Sequence, residues 1–264
     1  MEETLNLLRR RLSALEPASI GRREGEVFGL GLTALDDALG GGLARASLHE
    51  ILPATQADAG AAAGFAAGLA LRAMAAAGSG QDMVWVRQTH AERETGRLHA
   101  PGLAAFGLDP ARLILVGVRD VVEVLRAGVE AARCAGLGAV IIEPWGSHRA
   151  LDLTATRRLG LAAEKSGVTV FLLRPGAFEE AGAALTRWRV SACPSTPLAA
   201  NAPGHPAFDV TLLRHRAGPA GLGWRLEWDH EQHRFRQAAP LSGAVVSVPA
   251  RRPAAARRPL ARTG

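Results

Sequence analysis

A loop between positions 53 and 62 stands where a nucleotide-binding protein would bind phosphate. It follows an apolar strand pattern, Leu48-His49-Glu50-Ile51-Leu52, and precedes a long apolar helical pattern. In a P-loop nucleotidase such a loop reads G-x-x-x-x-G-K-[S/T]; its backbone amides and lysine bind phosphate, and its hydroxyl binds Mg²⁺. Here it reads Pro53-Ala54-Thr55-Gln56-Ala57-Asp58-Ala59-Gly60-Ala61-Ala62. The position therefore suits a phosphate loop, but the residues do not.

Each of the groups that would bind phosphate is missing from this loop. Gly60 is the single glycine of the loop, and the one lysine of the chain, Lys165, lies more than a hundred residues away. Asp58 places a negative charge where a polyphosphate would approach, and Thr55 precedes the first helical turn. A helix N-terminus that remains alone binds a triphosphate weakly. We predict that this loop is a connection, that no cofactor binds, and that the protein is not an enzyme.

Other clusters of reactive side chains indicate no second chemistry. His230 and His233 have acidic neighbours and could ligate a metal, but their charged surroundings favour a solvated turn at a strand end. The pair Ser147-His148 lacks the G-x-S-x-G turn of a hydrolase. Cys134 and Cys193 form no metal pattern and favour a reducing compartment. We expect neither a metal site nor a catalytic residue.

Alternating strands and helices must position the loop. Strands are predicted at about 47–52, 83–88, 112–117, 138–143 and 168–173, and helices at about 60–77, 119–135 and 151–166. Such alternation is typical of a parallel sheet with helices on both faces. A shorter helix is expected to start at a Thr33 cap and to end at Gly40. The crossover at 89–111 is less regular.

The last third of the chain changes character. Residues 185–193, 207–215 and 224–229 resemble strands without intervening helices, which predicts antiparallel strands added at the edge of the sheet. Residues 238–264 are rich in Pro, Ala and Arg, and we expect them to be disordered. The chain is thus predicted to contain an N-terminal helix and linker (1–26), one α/β domain (27–237) and a tail.

The N-terminal helix, predicted at 2–16, carries one narrow apolar stripe. Its leucines follow a 3-4-3 spacing at Leu5, Leu8, Leu12 and Leu15. A stripe this narrow suits a groove or a coiled-coil partner, but it also suits docking on the protein's own domain. Both interpretations stay open, and the four leucines are candidate partner-binding residues.

The positive charge belongs mainly to the tail. The net charge is +6, and residues 241–264 contain no acid and five arginines: Arg251, Arg252, Arg257, Arg258 and Arg262. Residues 1–240 therefore carry only +1. These arginines are candidates for non-specific DNA contact or for partner binding. No run of eighteen apolar residues and no signal peptide is found, so a cytoplasmic protein without a membrane span is expected.

Several stretches, in their order along the chain, resemble the ImuA family of RecA-like proteins. They cover about residues 1–237 and comprise Phe28-Gly29-Leu30-Gly31, Leu32-Thr33-Ala34-Leu35-Asp36-Asp37-Ala38-Leu39-Gly40-Gly41-Gly42-Leu43, Leu48-His49-Glu50-Ile51, Gly107-Leu108-Asp109-Pro110-Ala111-Arg112, Ala139-Val140-Ile141-Ile142-Glu143, Arg187-Trp188-Arg189-Val190 and Leu226-Glu227-Trp228-Asp229-His230-Glu231-Gln232-His233-Arg234-Phe235. The resemblance implies a RecA-like core, a mostly parallel sheet flanked by helices. It also implies a role in SOS-induced translesion synthesis, beside an ImuB-like Y-family-related protein and an error-prone replicative-type polymerase. RecA is a further candidate partner.

The chemistry of RecA does not carry over to the matching positions. The acid that would position water aligns near Gln88, and an amide cannot act as a base. Glu143 ends the strand that would help to hold Mg²⁺, but the phosphate loop is missing. The segments 144–149 and 174–182 align with DNA-contacting loops, yet both are short and the second contains two acids. The resemblance therefore implies a scaffold and not a recombinase.

Two alternatives stay open at this point. One is a RecA- or KaiC-type DNA-dependent ATPase with an atypical nucleotide site. The other is a SulA-like regulator of cell division, because damage-induced proteins of that kind share a loose likeness to RecA. Nucleotide binding separates the scaffold from the ATPase, and the identity of a co-purified partner separates the scaffold from the regulator.

Overall fold

Residues 27–238, apart from positions 79, 199, 201 and 217, are described by a computed structural model. The strands are β1 Val27–Phe28, β2 Leu43–Ala44, β3 Leu48–Pro53, β4 Asp82–Gln88, β5 Leu113–Val118, β6 Leu137–Glu143, β7 Thr169–Leu173, β8 Thr186–Ala192, β9 Ala207–His215, β10 Leu222–Asp229 and β11 Arg234–Gln237. The helices are α1 Thr33–Ala38, α2 Ala59–Ala77, α3 Ala91–Thr95, α4 Ala100–Phe106, α5 Val121–Ala132 and α6 Leu153–Ser166. Short 3-10 turns occur at Gln56–Asp58 and Pro110–Arg112.

Nine strands form one sheet in the order β11-β10-β9-β8-β3-β7-β6-β4-β5. The strands from β8 to β5 are parallel to their neighbours. The three pairs from β8 to β11 are antiparallel. This arrangement confirms the predicted mostly parallel sheet with antiparallel strands at its C-terminal edge. The carboxyl ends of β3, β4, β6 and β7 meet at one rim, which is where the loop after β3 lies.

Helix α2 packs along one face of the sheet, at the centre of the larger apolar core. The ring of Phe65 lies 5.7 Å from Trp188 and 5.3 Å from Phe235, centroid to centroid. A Cβ added at Gly68 would lie 2.7 Å from Phe235 and 3.1 Å from Trp228, so the β10–β11 hairpin closes directly on the helix. By length and composition Gln56–Ala77 could cross a membrane, but most of it is buried inside the fold.

The opposite face is covered by α5 and α6. Val124 and Leu159 of these helices are fully buried against the apolar side chains of β6 and β7. A Cβ at Gly128 would lie 2.6 Å from Ile142, so a glycine lets α5 approach the sheet closely. Both faces are therefore covered, as the near-continuous apolar strand patterns predicted.

The structure corrects one local prediction and adds three short strands. Thr33 is the first residue of α1 and not its cap; Leu32 holds the cap position, without a side-chain bond. The carboxylate of Asp36 instead accepts the backbone N–H of Leu30 at 2.7 Å and of Gly31 at 3.2 Å, which fixes the chain before the helix. The strands β1, β2 and β11 were not predicted, because two of them contain only two residues and β11 contains two arginines.

Candidate functional site

The loop between β3 and α2 is closed on itself by Asp58. Its Oδ2 accepts the backbone N–H of Thr55 at 3.0 Å and the Thr55 hydroxyl at 2.6 Å. Its Oδ1 accepts the backbone N–H of Ala192 at 2.9 Å, which ties the loop to the end of β8. The Thr55 hydroxyl lowers the pKa of the Asp58 carboxyl most, and the Ala192 and Thr55 amides lower it further against a partial desolvation.

Three amides of this loop already have protein partners. Ala54 N–H donates to the Val190 carbonyl at 2.7 Å, and Asp58 N–H donates to the Thr55 carbonyl at 3.0 Å. With the Thr55 amide bound to Asp58, three amides that could face a phosphate are occupied. An approaching anion would meet a carboxylate and bonded amides, which is unfavourable for phosphate binding.

Glu143, at the end of β6, is held in a buried ion pair. Its Oε2 lies 3.0 Å from Nε of Arg87 and accepts the indole N–H of Trp85 at 2.8 Å. Both side chains of the ion pair are almost completely buried. Burial raises the pKa of the Glu143 carboxyl, while Arg87 and Trp85 oppose the shift. The carboxylate that would help to hold Mg²⁺ in an active relative is thus engaged with β4.

Arg87 also fastens the irregular crossover to the sheet. One terminal nitrogen donates to the Gly96 carbonyl at 2.7 Å, and the other donates to the Thr95 hydroxyl. That hydroxyl in turn donates to the Ala91 carbonyl at 2.8 Å. The guanidinium therefore joins the end of β6 to the C-terminal end of α3, and its planar set of donors suits this number of partners.

Gln88, at the end of β4, links three strand ends. Its Oε1 accepts the backbone N–H of Trp145, after β6, at 3.0 Å. Its Nε2 donates to the carbonyl of Arg119, after β5, at 3.2 Å. The two bonds need one acceptor and one donor on the same side chain, which an amide supplies and a carboxylate does not. At this position the residue is structural and not a base.

A second buried ionic cluster lies beside β3. Oε1 of Glu50 accepts a hydrogen bond from Nη1 of Arg174 at 3.1 Å, and Oε2 accepts one from Nε of Arg187 at 2.6 Å. Arg174 also binds Glu180 at 2.8 Å, and Arg187 donates to the Glu180 carbonyl. The bond from Arg174 is the main reason that the pKa of Glu180 lies below its usual range. Such clusters fix geometry, because the loss of one member leaves a buried charge uncompensated.

The two segments that align with DNA-contacting loops offer few free cations. Arg174 is buried in the cluster beside β3. Glu179 and Glu180 are paired, with Arg189 and with Arg174. Arg149 is exposed, and Phe178 projects from the second loop with 80% of its surface exposed. The charge pattern of this rim is therefore nearly balanced and does not resemble a phosphate-binding groove.

The candidate tryptophans are buried or partly buried, and the candidate histidines His230 and His233 lie in the exposed turn between β10 and β11. Tryptophan rings can stack on nucleic-acid bases, but Trp188 and Trp228 are fully buried, and Trp145 and Trp224 are partly buried. His233 stacks on Trp228, with centroids 6.4 Å apart. No group of three metal-ligating side chains occurs among the described residues.

The partner and tail candidates lie outside the described residues. These are Leu5, Leu8, Leu12 and Leu15 of the predicted helix and the tail arginines Arg251, Arg252, Arg257, Arg258 and Arg262. Their roles stay predictions.

Sequence comparison finds relatives that bear one name. Two proteins called "Protein ImuA", from two strains of Caulobacter vibrioides, are each 34% identical to the chain over 237 residues. Each match covers 84% of this chain and 93% of the relative. No protein-family model matches the chain.

Structural comparison supports the fold. The crystal structure of the RadB recombinase aligns with a TM-score of 0.54 and 18% identity. The alignment covers 81% of this chain and 100% of RadB. At this identity the likeness concerns the RecA-like architecture alone.

Proposed function

The chain belongs to the ImuA family, and on that premise we propose a non-catalytic RecA-like accessory factor of damage-induced, error-prone translesion DNA synthesis. In this role it acts in the cytoplasm as a scaffold that binds other proteins and turns over no nucleotide. Family membership supports the pathway. The side chains of Gln88 and Glu143, which are held in hydrogen bonds and an ion pair at the ends of β4 and β6, support the absence of catalysis.

The closed loop after β3 is the observation that carries the scaffold role. The Asp58 carboxylate occupies the Thr55 amide and hydroxyl, backbone carbonyls occupy the Ala54 and Asp58 amides, and no lysine exists near the loop. Charge-assisted hydrogen bonds to phosphate contribute about 1.5–3 kcal/mol each. Since about 1.4 kcal/mol corresponds to a tenfold change in affinity, the loss of two or three such groups weakens a micromolar site by several powers of ten.

The proposed partners are proteins of the same pathway. They are an ImuB-like Y-family-related protein and an error-prone replicative-type polymerase, with RecA as a further partner. The tail arginines provide a sequence-independent contact with DNA. No membrane partner is proposed.

Nucleotide binding tests the scaffold role against the ATPase alternative. Calorimetry with ATP and Mg²⁺ at millimolar concentration is expected to give no saturable heat, and phosphate release is expected to stay at background with single-stranded DNA. The variant Gln88→Glu, which restores an acid at the strand end, is expected to remain inactive. Saturable ATP binding, or hydrolysis stimulated by DNA, would overturn the scaffold proposal and favour an ATPase.

Partner identity tests the pathway. Affinity purification of the full chain from damaged cells is expected to recover an ImuB-like protein, and deletion of the gene is expected to lower damage-induced mutation without altering division. Recovery of a cell-division protein instead, with filamentation on overexpression, would support the SulA-like alternative.

A further inference from the structure

The two edges of the sheet are protected to very different degrees. At one edge, β11 is four residues long and includes Arg234 and Arg236, and such short, charged edges resist pairing. At the other edge, β5 reads Leu-Ile-Leu-Val-Gly-Val, with no charge and no proline. Ile114 and Leu115 are 50% and 48% exposed on it. An apolar edge without protection is a template for another strand.

The backbone of β5 presents its bonding groups along this open edge. The Val118 carbonyl accepts Thr89 N–H at 2.7 Å, so it points towards β4. Peptide groups alternate in direction along a strand, so Ile114 and Val116 also bond to β4, whereas Leu115 and Gly117 direct N–H and C=O outwards. Among residues 27–238 no strand pairs with that side of β5.

A shallow surface cavity of about 520 Å³, largely open to solvent, lies at the end of the same strand. It is lined by Gly117, Val118, Arg119, Glu123, Arg126 and Ala127. Oε2 of Glu123 accepts the Arg119 backbone N–H at 3.0 Å, so that carboxylate is turned towards the main chain. Neither Arg119 nor Arg126 forms a salt bridge with a described residue. The cavity thus offers two cations beside an apolar edge.

We propose that β5 and this cavity form a docking site for an extended segment of a partner protein. The segment adds to the sheet as a tenth strand, covers Ile114 and Leu115 with apolar side chains, and places a carboxylate between Arg119 and Arg126. Main-chain bonds give such a contact affinity, and pockets for alternate side chains give it specificity. The complementary charge favours an acidic partner over the chain's own arginine-rich tail.

A pair of synthetic peptides tests the site on the full chain. The first is a twelve-residue peptide that alternates valine and threonine and contains glutamate at two central positions; in its twin, lysine replaces glutamate. Fluorescence anisotropy is expected to show saturable binding of the acidic peptide and at least tenfold weaker binding of the twin. Hydrogen exchange is expected to slow at the Leu115 and Gly117 amides when the acidic peptide binds.

Three variants assign that binding to the edge and the cavity. Leu115→Pro removes only an outward-facing donor, and proline is tolerated at such positions of edge strands; Leu115→Lys is a second variant with an intact backbone. Each of these, and Arg126→Glu, is expected to weaken the acidic peptide at least tenfold. Arg133→Glu, seven residues further along the chain and paired with Glu130 outside the cavity, is the matched control and is expected to change affinity less than twofold.

Three results of the peptide experiments would overturn the proposal: no saturable binding of the acidic peptide, equal binding of the lysine twin, or equal binding by the Leu115 variants. Light scattering gives a further test. If the molar mass of the protein rises with its concentration, and that of Leu115→Lys does not, the edge binds a second copy of the chain and the proposal is overturned. The proposal rests on the scaffold role proposed above. Its failure is distinguishable, since peptide binding involves neither ATP nor mutagenesis: an unused edge leaves the scaffold role standing on other surfaces.

Discussion

At the scale of single residues, Glu143 and Arg87 stabilise each other's charge in the interior. Glu143→Ala leaves the Arg87 guanidinium buried without its counter-ion, so the free energy of unfolding is expected to fall by about 3–5 kcal/mol. Urea denaturation measures this loss. The double variant Glu143→Leu with Arg87→Met is expected to recover most of it, because replacement of a whole buried pair by apolar groups is nearly neutral.

The control for this pair is a salt bridge on the surface. At the C-terminal end of α5, Nη1 of Arg133 lies 2.8 Å from Oε1 of Glu130, and both side chains are mostly exposed. Arg133→Ala is expected to cost less than about 1 kcal/mol. Equal losses in Glu143→Ala and Arg133→Ala would contradict the claim that burial makes the Arg87–Glu143 pair important. Because Glu143 stabilises the fold, a loss of function in Glu143→Ala would not show that Glu143 is catalytic.

Asp58 gives the loop after β3 a dependence on pH. Its pKa is lower in the folded protein than in the unfolded chain, chiefly because of the Thr55 hydroxyl. Its stabilising effect is therefore complete above the unfolded pKa of about 4 and is lost as the pH falls through the folded pKa. Asp58→Ala is expected to cost about 0.5–2 kcal/mol at neutral pH, as other lost caps do, and to cost nothing in strong acid.

Thermal unfolding at a series of pH values measures that difference. Asp37→Ala is a matched control, because Asp37 is an exposed acid of α1. A constant difference between Asp58→Ala and the parent protein across the acid range would contradict the assigned role of the Asp58 charge.

At the scale of elements, the apolar patterns predicted the main strands and helices, but not the bonds between their ends. A short stretch of sequence is enough to predict a strand that consists mainly of apolar residues, such as β3, β4, β6 or β7. The partners of Gln88 lie 31 and 57 positions away, and Arg174 and Glu50 lie 124 positions apart. Such contacts depend on strand order, which no local pattern specifies. The sequence does carry one signal, a charged residue inside an apolar strand, as at Glu50 and Arg87.

The predicted N-terminal helix, which lies outside the described residues, is expected to have a role that is separable from the folding of the domain. Leu8→Asp together with Leu12→Asp is expected to abolish self-association or partner binding, because two charges interrupt the apolar stripe. The thermal transition of the domain is expected to stay cooperative and near its original midpoint. Sedimentation and calorimetry measure the two properties. Loss of the cooperative transition would show instead that the helix belongs to the core.

At the scale of the whole molecule, the positive charge is concentrated beyond residue 240. We expect the association constant for duplex DNA to fall as the salt concentration rises. If all five tail arginines reach phosphates, a plot of its logarithm against the logarithm of the salt concentration has a slope of about −4.5. Removal of residues 249–264 is expected to flatten that slope. An unchanged slope would place DNA binding on the domain and would leave the tail for a protein partner.

The closure of α2 by the β10–β11 hairpin has a consequence during synthesis. A nascent chain carries this long apolar helix well before it contains Phe235, which packs against Phe65 and beside Gly68. About 160 residues separate the helix from that aromatic ring, and at roughly 5–20 residues per second their translation takes about 8–30 s. Throughout that interval the helix lacks part of its native cover. We therefore expect the ribosome-bound chain to be a client for chaperones, and faster translation to shorten the exposure.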